Sequence, residues 1–128
     1  MQNFQFIFDT PPTLPTSCSP IGEVFAWSVW KAMELGASDI VLDESSCGLV
    51  VFCLDYRKRD KSRTASRQEV VRFPHLRGTP LKDFPNKGIG VAAIGKQKKN
   101  VRVWTCQKTS DNDLRSCAIL SFMPPPVV

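Results

Sequence analysis

The chain has 128 residues, of which 42% are hydrophobic and 23% charged, values that fit one globular domain and exclude a disordered or low-complexity chain. A domain of this size buries about two thirds of its unfolded surface, enough for a core without metal or disulfide staples. The net charge is +5, and no apolar run reaches the roughly 20 residues that span a bilayer.

The charge is unevenly placed. Residues 1–55 carry one base, Lys31, against seven acids, whereas residues 56–128 carry sixteen bases against five acids. Such asymmetry fits an anionic partner for the second half, head-to-tail contact between copies, or a solvated basic face. Residues 1–20 lack a basic start and a continuous apolar stretch, so they do not read as a secretory signal and the expected compartment is the cytoplasm. Five cysteines, with no C-x-x-C pair and the single histidine His75, point to neither a zinc site nor a disulfide framework. No metal or cofactor is expected.

Phe4, Phe6 and Phe8 alternate with Asn3, Gln5, Ile7 and Asp9, predicting a short strand. Pro11, Pro12 and Pro15 then interrupt regular structure. Ser19-Pro20 predicts a helix start, with a hydroxyl N-cap and proline in the first turn. The helix is expected to run from Ile21 to Leu35 and to stop at Gly36. With Trp27 and Trp30 it is apolar around most of its circumference, hence largely buried.

Strand patterns follow. Asp39–Leu42 is short, and Gly48–Leu54 is a continuous apolar run that suits a central strand. Arg57 to Gln68 is polar and basic and predicts a loop. Glu69–Phe73 is a strand stopped by Pro74, Pro80–Asn86 one helical turn, and Ile89–Ile94, Val101–Lys108 and Ser116–Met123 three further strands. Lys96–Asn100 and Ser110–Asp113 are the expected turns. Residues 1–19 thus form a strand and proline-rich lead-in, 20–123 one domain, and 124–128 a proline-rich tail or linker start. The fold class is α+β: one long N-terminal helix packed on a mostly antiparallel sheet.

Gly90 to Lys96 matches the pattern G-x-x-x-x-G-K, but Gln97 stands where a magnesium-ligating hydroxyl is needed. A strand, not a helix, is expected after it, so phosphate would meet no helix N-terminus. His75 beside Pro74 has no evident thiol partner, and the pairs Asp43-Glu44 and Asp111/Asp113 fall in expected turns, where acids are solvated. Catalysis is therefore not expected.

One constellation points further. Leu35-Gly36-Ala37-Ser38-Asp39-Ile40-Val41-Leu42-Asp43 closes a helix and opens a strand, and it resembles the "GASDIHLE" signature of the type II/type IV secretion ATPase superfamily. Val101-Arg102-Val103 and Ala118-Ile119-Leu120-Ser121-Phe122-Met123-Pro124 resemble that family's two closing strands, so the likeness covers roughly residues 20–126. It implies the PAS-like N-terminal domain that precedes the RecA-like motor. Arginines of that domain reach a nucleotide held by the motor, and Arg102 matches one such position. Departures are clear: Ser121 replaces the arginine of the last strand, Cys53-Leu54-Asp55-Tyr56 replaces "R-x-D-G", Val41 replaces the histidine, and Trp104 stands where asparagine is common. The 128 residues include no Walker A motif, Walker B motif or motor domain. A piece cut at the linker and a free-standing relative both fit, and the latter is the expectation.

The resemblance implies a non-catalytic assembly module of a secretion, type IV pilus or conjugation system. Its partners would be machine components, including a hexameric ATPase or further copies of itself, with Arg102 contacting a neighbour or its nucleotide. The alternative is a small nucleic-acid-binding protein, in which Arg57, Lys58, Arg59, Lys61, Arg63 and Arg67 in one loop, and Lys96, Lys98 and Lys99 in another, grip phosphates beside Tyr56 and Trp104. A third reading is a PAS-like sensor with a small molecule behind Trp27 and Trp30, where a filled core is the plainer use of those rings.

Overall fold

The computed structural model describes residues 2–45, 48–59, 65–73, 81, 87–110 and 113–123. Strand β1 (Gln2–Phe8) leads to helix α1 (Ile21–Leu35), followed by β2 (Asp39–Ser45), β3 (Gly48–Arg59), β4 (Ala65–Phe73), β5 (Lys87–Ile94), β6 (Gln97–Ser110) and β7 (Asp113–Met123). The seven strands form one sheet in the order β1-β5-β6-β7-β2-β3-β4. All pairings are antiparallel except β1 with β5. The α+β class holds.

The helix has 15 residues, about 22 Å at 1.5 Å per residue. That is an ordinary length, not the long helix expected, and both ends have a local cause. Pro20 is extended (φ −59°, ψ 149°) and acts as the N-cap without a side-chain hydrogen bond. Its carbonyl accepts from the Glu23 and Val24 N–H groups. Ser19 lies one residue too early to cap the helix. Its hydroxyl oxygen instead accepts from the Thr16 N–H at 2.9 Å, closing the preceding turn. At the other end Gly36 adopts φ 69°, ψ 26°, a left-handed conformation that glycine enters without a Cβ penalty. The Gly36 N–H donates to the Met33 carbonyl (3.2 Å) and the Ala37 N–H to the Ala32 carbonyl (2.9 Å), the paired bonds of a Schellman stop.

The helix buries Ile21, Val24, Phe25, Trp27, Val29, Ala32 and Met33, as its apolar circumference predicted. Ser28 is buried among them, and its hydroxyl is satisfied by donating to the Val24 carbonyl at 2.7 Å. The sheet meets the helix with one face: Phe6, Ile40, Leu42, Leu49, Val51, Cys53, Val101, Val103, Ala118 and Leu120 join the same core. Their alternation follows from the two-residue period of a strand.

Two further sequence expectations are corrected. The basic segment after Tyr56 is not mainly a loop, because β3 continues to Arg59 and β4 starts at Ala65, with Asp55 opposite Ser66 and Arg59 opposite Ala65. A ladder needs backbone partners, not apolar side chains, so a polar hairpin can extend beyond the core. Lys96–Asn100 is not a turn either: Gly95 and Lys96 suffice as a two-residue connection, and Gln97 already pairs with Ile94. Ser110 pairs with Asp113 where β6 gives way to antiparallel β7, in keeping with the turn expected over these positions; residues 111 and 112 lie outside the described residues. His75, Cys47, the tail 124–128 and all of Pro80–Asn86 except Leu81 lie outside the described residues.

Candidate functional site

The sheet face away from the helix carries two of the candidate residues, Lys98 and Arg102. Strand β6 shows why. Val101 and Val103 point into the core and are fully buried, so Lys98, Asn100, Arg102 and Trp104 point the other way. Trp104 is 49% exposed, unusual for so large an aromatic ring.

Strand register assembles rows across this open face. One row runs Ile89, Arg102, Ser121, Asp39, Leu54, Arg67, and the next runs Lys87, Trp104, Ile119, Val41, Phe52, Glu69. In the first, the Ser121 hydroxyl donates to Asp39 Oδ2 at 2.6 Å, a charge-assisted bond between the two ends of the resemblance. Arg102 stands directly opposite Ser121, with its guanidinium 5.7 Å from the centre of the Trp104 ring. Across the sheet the Arg67 guanidinium lies 3.6 Å from the centre of the Phe52 ring, a stacked cation–π contact. Glu69 is paired with Arg72, and its carboxylate holds the Arg72 guanidinium above its ordinary pKa.

Ser38 joins the two halves of the sheet. Its N–H donates to the Leu54 carbonyl and its own carbonyl accepts from the Phe122 N–H. Its hydroxyl donates to the Leu54 carbonyl at 3.2 Å and accepts the Tyr56 N–H at 3.0 Å. The short run Gly36-Ala37-Ser38-Asp39 thus divides its work by residue. Gly36 stops the helix, Ala37 packs in the core (6% exposed), Ser38 clamps the strands and Asp39 accepts the Ser121 hydroxyl.

Among the described side chains, the basic candidates Lys98 and Lys99 face opposite sides of the sheet. Lys98 is on the open face opposite Ala93, and Lys96 is exposed in the β5–β6 turn. Lys99 points to the helix side, its ammonium 5.1 Å from the Phe122 ring centre. Arg57, Lys58 and Arg59 belong to the far end of β3. Lys61 and Arg63 lie outside the described residues. The stretch Gly90 to Lys96 forms the β5 half of a β-hairpin and its turn, with a strand after it.

A shallow depression of about 460 Å³ opens on the same face, lined by Asn3, Gln5, Ile89, Val91, Asn100 and Met123. It lies on the opposite side of the sheet from α1, so it is not a chamber behind Trp27. Sequence reasoning missed it because it forms where β1 joins β5, a pairing without local signal. It also missed the Arg67–Phe52 stack and the Asp39–Ser121 bond. The latter joins residues 82 apart, and only strand register reveals such a pair.

Among the described residues no three His, Cys, Asp or Glu side chains gather as metal ligands would, and no helix is long and apolar enough to cross a membrane. Cys53 is a core residue (4% exposed), and burial pushes its thiol up to about 11, which makes it a poor nucleophile near neutral pH. The open face presents exposed Trp104, the guanidinium groups of Arg102 and Arg67, and the amides of Asn3, Gln5 and Asn100 beside apolar Ile89, Val91 and Met123. No protein-family model, curated protein or solved structure matches this chain.

Proposed function

We propose that this domain is a non-catalytic assembly module of a bacterial secretion, type IV pilus or conjugation system, working in the cytoplasm and related to the PAS-like N-terminal domain of the secretion ATPases. The observation that supports it best is the setting of Leu35–Asp43. This segment ends α1 at Gly36 and enters β2, which pairs with β7 on one side and β3 on the other. The resemblance requires that strand to lie within the sheet and requires residues 101–123 to form two neighbouring strands. Strands β6 and β7 are paired from Asn100–Met123 to Ser110–Asp113.

Arg102 is the residue assigned to a neighbouring subunit or its nucleotide. It is exposed, anchored at its backbone by core valines on either side, and adjacent to the exposed Trp104. The loss of the partner arginine at Ser121 fits a module that acts through protein contact without completing a nucleotide site. The test is in-cell crosslinking through a photoreactive residue placed at Ser121, followed by identification of the captured proteins. Capture of a secretion, pilus or conjugation ATPase, or another component of such a machine, and its loss on Arg102→Glu, is the expected result. Capture of none of these components would overturn the reading.

A further inference from the structure

We infer that the β1-β5-β6-β7 half of the open sheet face binds single-stranded nucleic acid, with the strand running along β6. This inference stands on the open face alone and does not rest on the kinship with secretion ATPases.

The first argument is spacing. Lys98, Asn100, Arg102 and Trp104 occupy alternate positions of β6 and share one face. Alternate residues of a strand are about 6.7 Å apart, comparable to the separation of successive phosphates in an extended single strand. A cation, an amide, a second cation and an aromatic ring therefore recur in step with the nucleotide repeat.

The second argument is chemistry. Trp104 offers an exposed ring on which a base can stack, and stacking of this kind tolerates any base. Arg102, 5.7 Å from that ring, can reach a phosphate beside a stacked base. The neighbouring depression has an apolar floor of Ile89, Val91 and Met123, and amide groups from Asn3, Gln5 and Asn100 around it. Flat apolar contact with amide donors and acceptors at the rim suits a base. It offers no fixed charge to an acidic peptide.

The third argument is charge segregation. Among the described side chains, this half of the face carries Lys87, Lys98 and Arg102 and no acid. Among the described side chains, the acids of the open face are Asp39, Asp43 and Glu69, on β2 and β4. Asp39 accepts the Ser121 hydroxyl and Glu69 is paired with Arg72. Lys96 extends the positive strip at the β5–β6 turn. A polyanion is therefore steered along β6 and away from β2.

The experiment uses the full chain with fluorescein-labelled oligo(dT) and oligo(rU) 20-mers, read by anisotropy during a salt titration starting at about 50 mM. Binding to at least one oligomer is expected, with quenching of tryptophan fluorescence. Trp104→Ala should weaken it roughly five- to a hundredfold, while Lys31→Ala on the helix side leaves it unchanged. Each cation in contact with a phosphate contributes about 0.7 to the logarithmic salt slope, so Lys98→Ala with Arg102→Ala should lower it by about 1.4. Circular dichroism of each variant separates lost binding from lost folding. No binding at the lowest salt, wild-type affinity in a folded Trp104→Ala variant, or displacement by polyglutamate at equal charge would each overturn the inference. The last outcome would point to an acidic protein partner instead.

Discussion

Gly36 shows how much one residue can decide. Its left-handed backbone ends α1 and lets the Ala37 N–H reach back to Ala32, so the chain enters β2 within three residues. Any side chain there incurs the left-handed penalty, and Gly36→Ala should lower stability by about 1–2 kcal/mol, measured by urea unfolding. Cys53 gives a second prediction. Its folded thiol titrates near 11 against an ordinary 9, so above pH 9 the unfolded chain loses its proton first. Stability from this group is fully present below pH 9 and is lost as pH rises towards 11, by about 2–3 kcal/mol in the limit. Unfolding midpoints between pH 8 and 11 should show this fall for the wild type and not for Cys53→Val. Exposed Cys18 should react with a thiol reagent at neutral pH, while Cys53 stays protected until unfolding.

Secondary elements depend on contacts that single residues permit. β1 is held to the sheet through the parallel β5 pairing, with Phe4 opposite Gly90. A Cβ at Gly90 would lie 2.2 Å from the Phe4 carbonyl oxygen, and backbone cannot yield as a flexible side chain does. Gly90→Val should therefore release β1 while leaving β6, β7, β2 and β3 paired. Amide hydrogen exchange would report this as loss of protection confined to residues 2–8 and the facing edge of β5. Ser38 is the corresponding clamp at the other end. Ser38→Ala removes the hydroxyl contacts to Leu54 and Tyr56, and a loss of about 1–2 kcal/mol in chemical denaturation is expected.

Across the molecule, α1 and one sheet face share a core among the described residues. β2 enters the sheet early in the sequence and β7 late, yet they are central neighbours. Ile40, Leu120 and Val103 lie side by side in register, all fully buried. Truncating the middle one tests that core: Leu120→Ala should cost about 2–5 kcal/mol. Circular dichroism and tryptophan fluorescence should then lose signal in one shared transition, as expected of a single cooperative unit. Among the described residues no helix covers the other face, where Trp104, Ile89 and Ile7 are exposed.

Local chemistry made much of this legible. The glycine stop after Leu35, the apolar helix and the alternating valines of β6 depend on neighbours within a few residues, so the sequence shows them directly. The strand at Gly48 was legible for the same reason. By contrast, the hairpin between Tyr56 and Arg67 was hidden because its strands lie beyond the apolar core, where side-chain pattern no longer marks a strand. Long-range register alone brings Asp39 to Ser121, Arg67 to Phe52 and β1 to β5. Those pairings are set by the packing of the whole sheet against α1, and they determine which cations and rings share a surface. The residues of the candidate face were therefore visible in the sequence, while their arrangement was a property of the folded sheet.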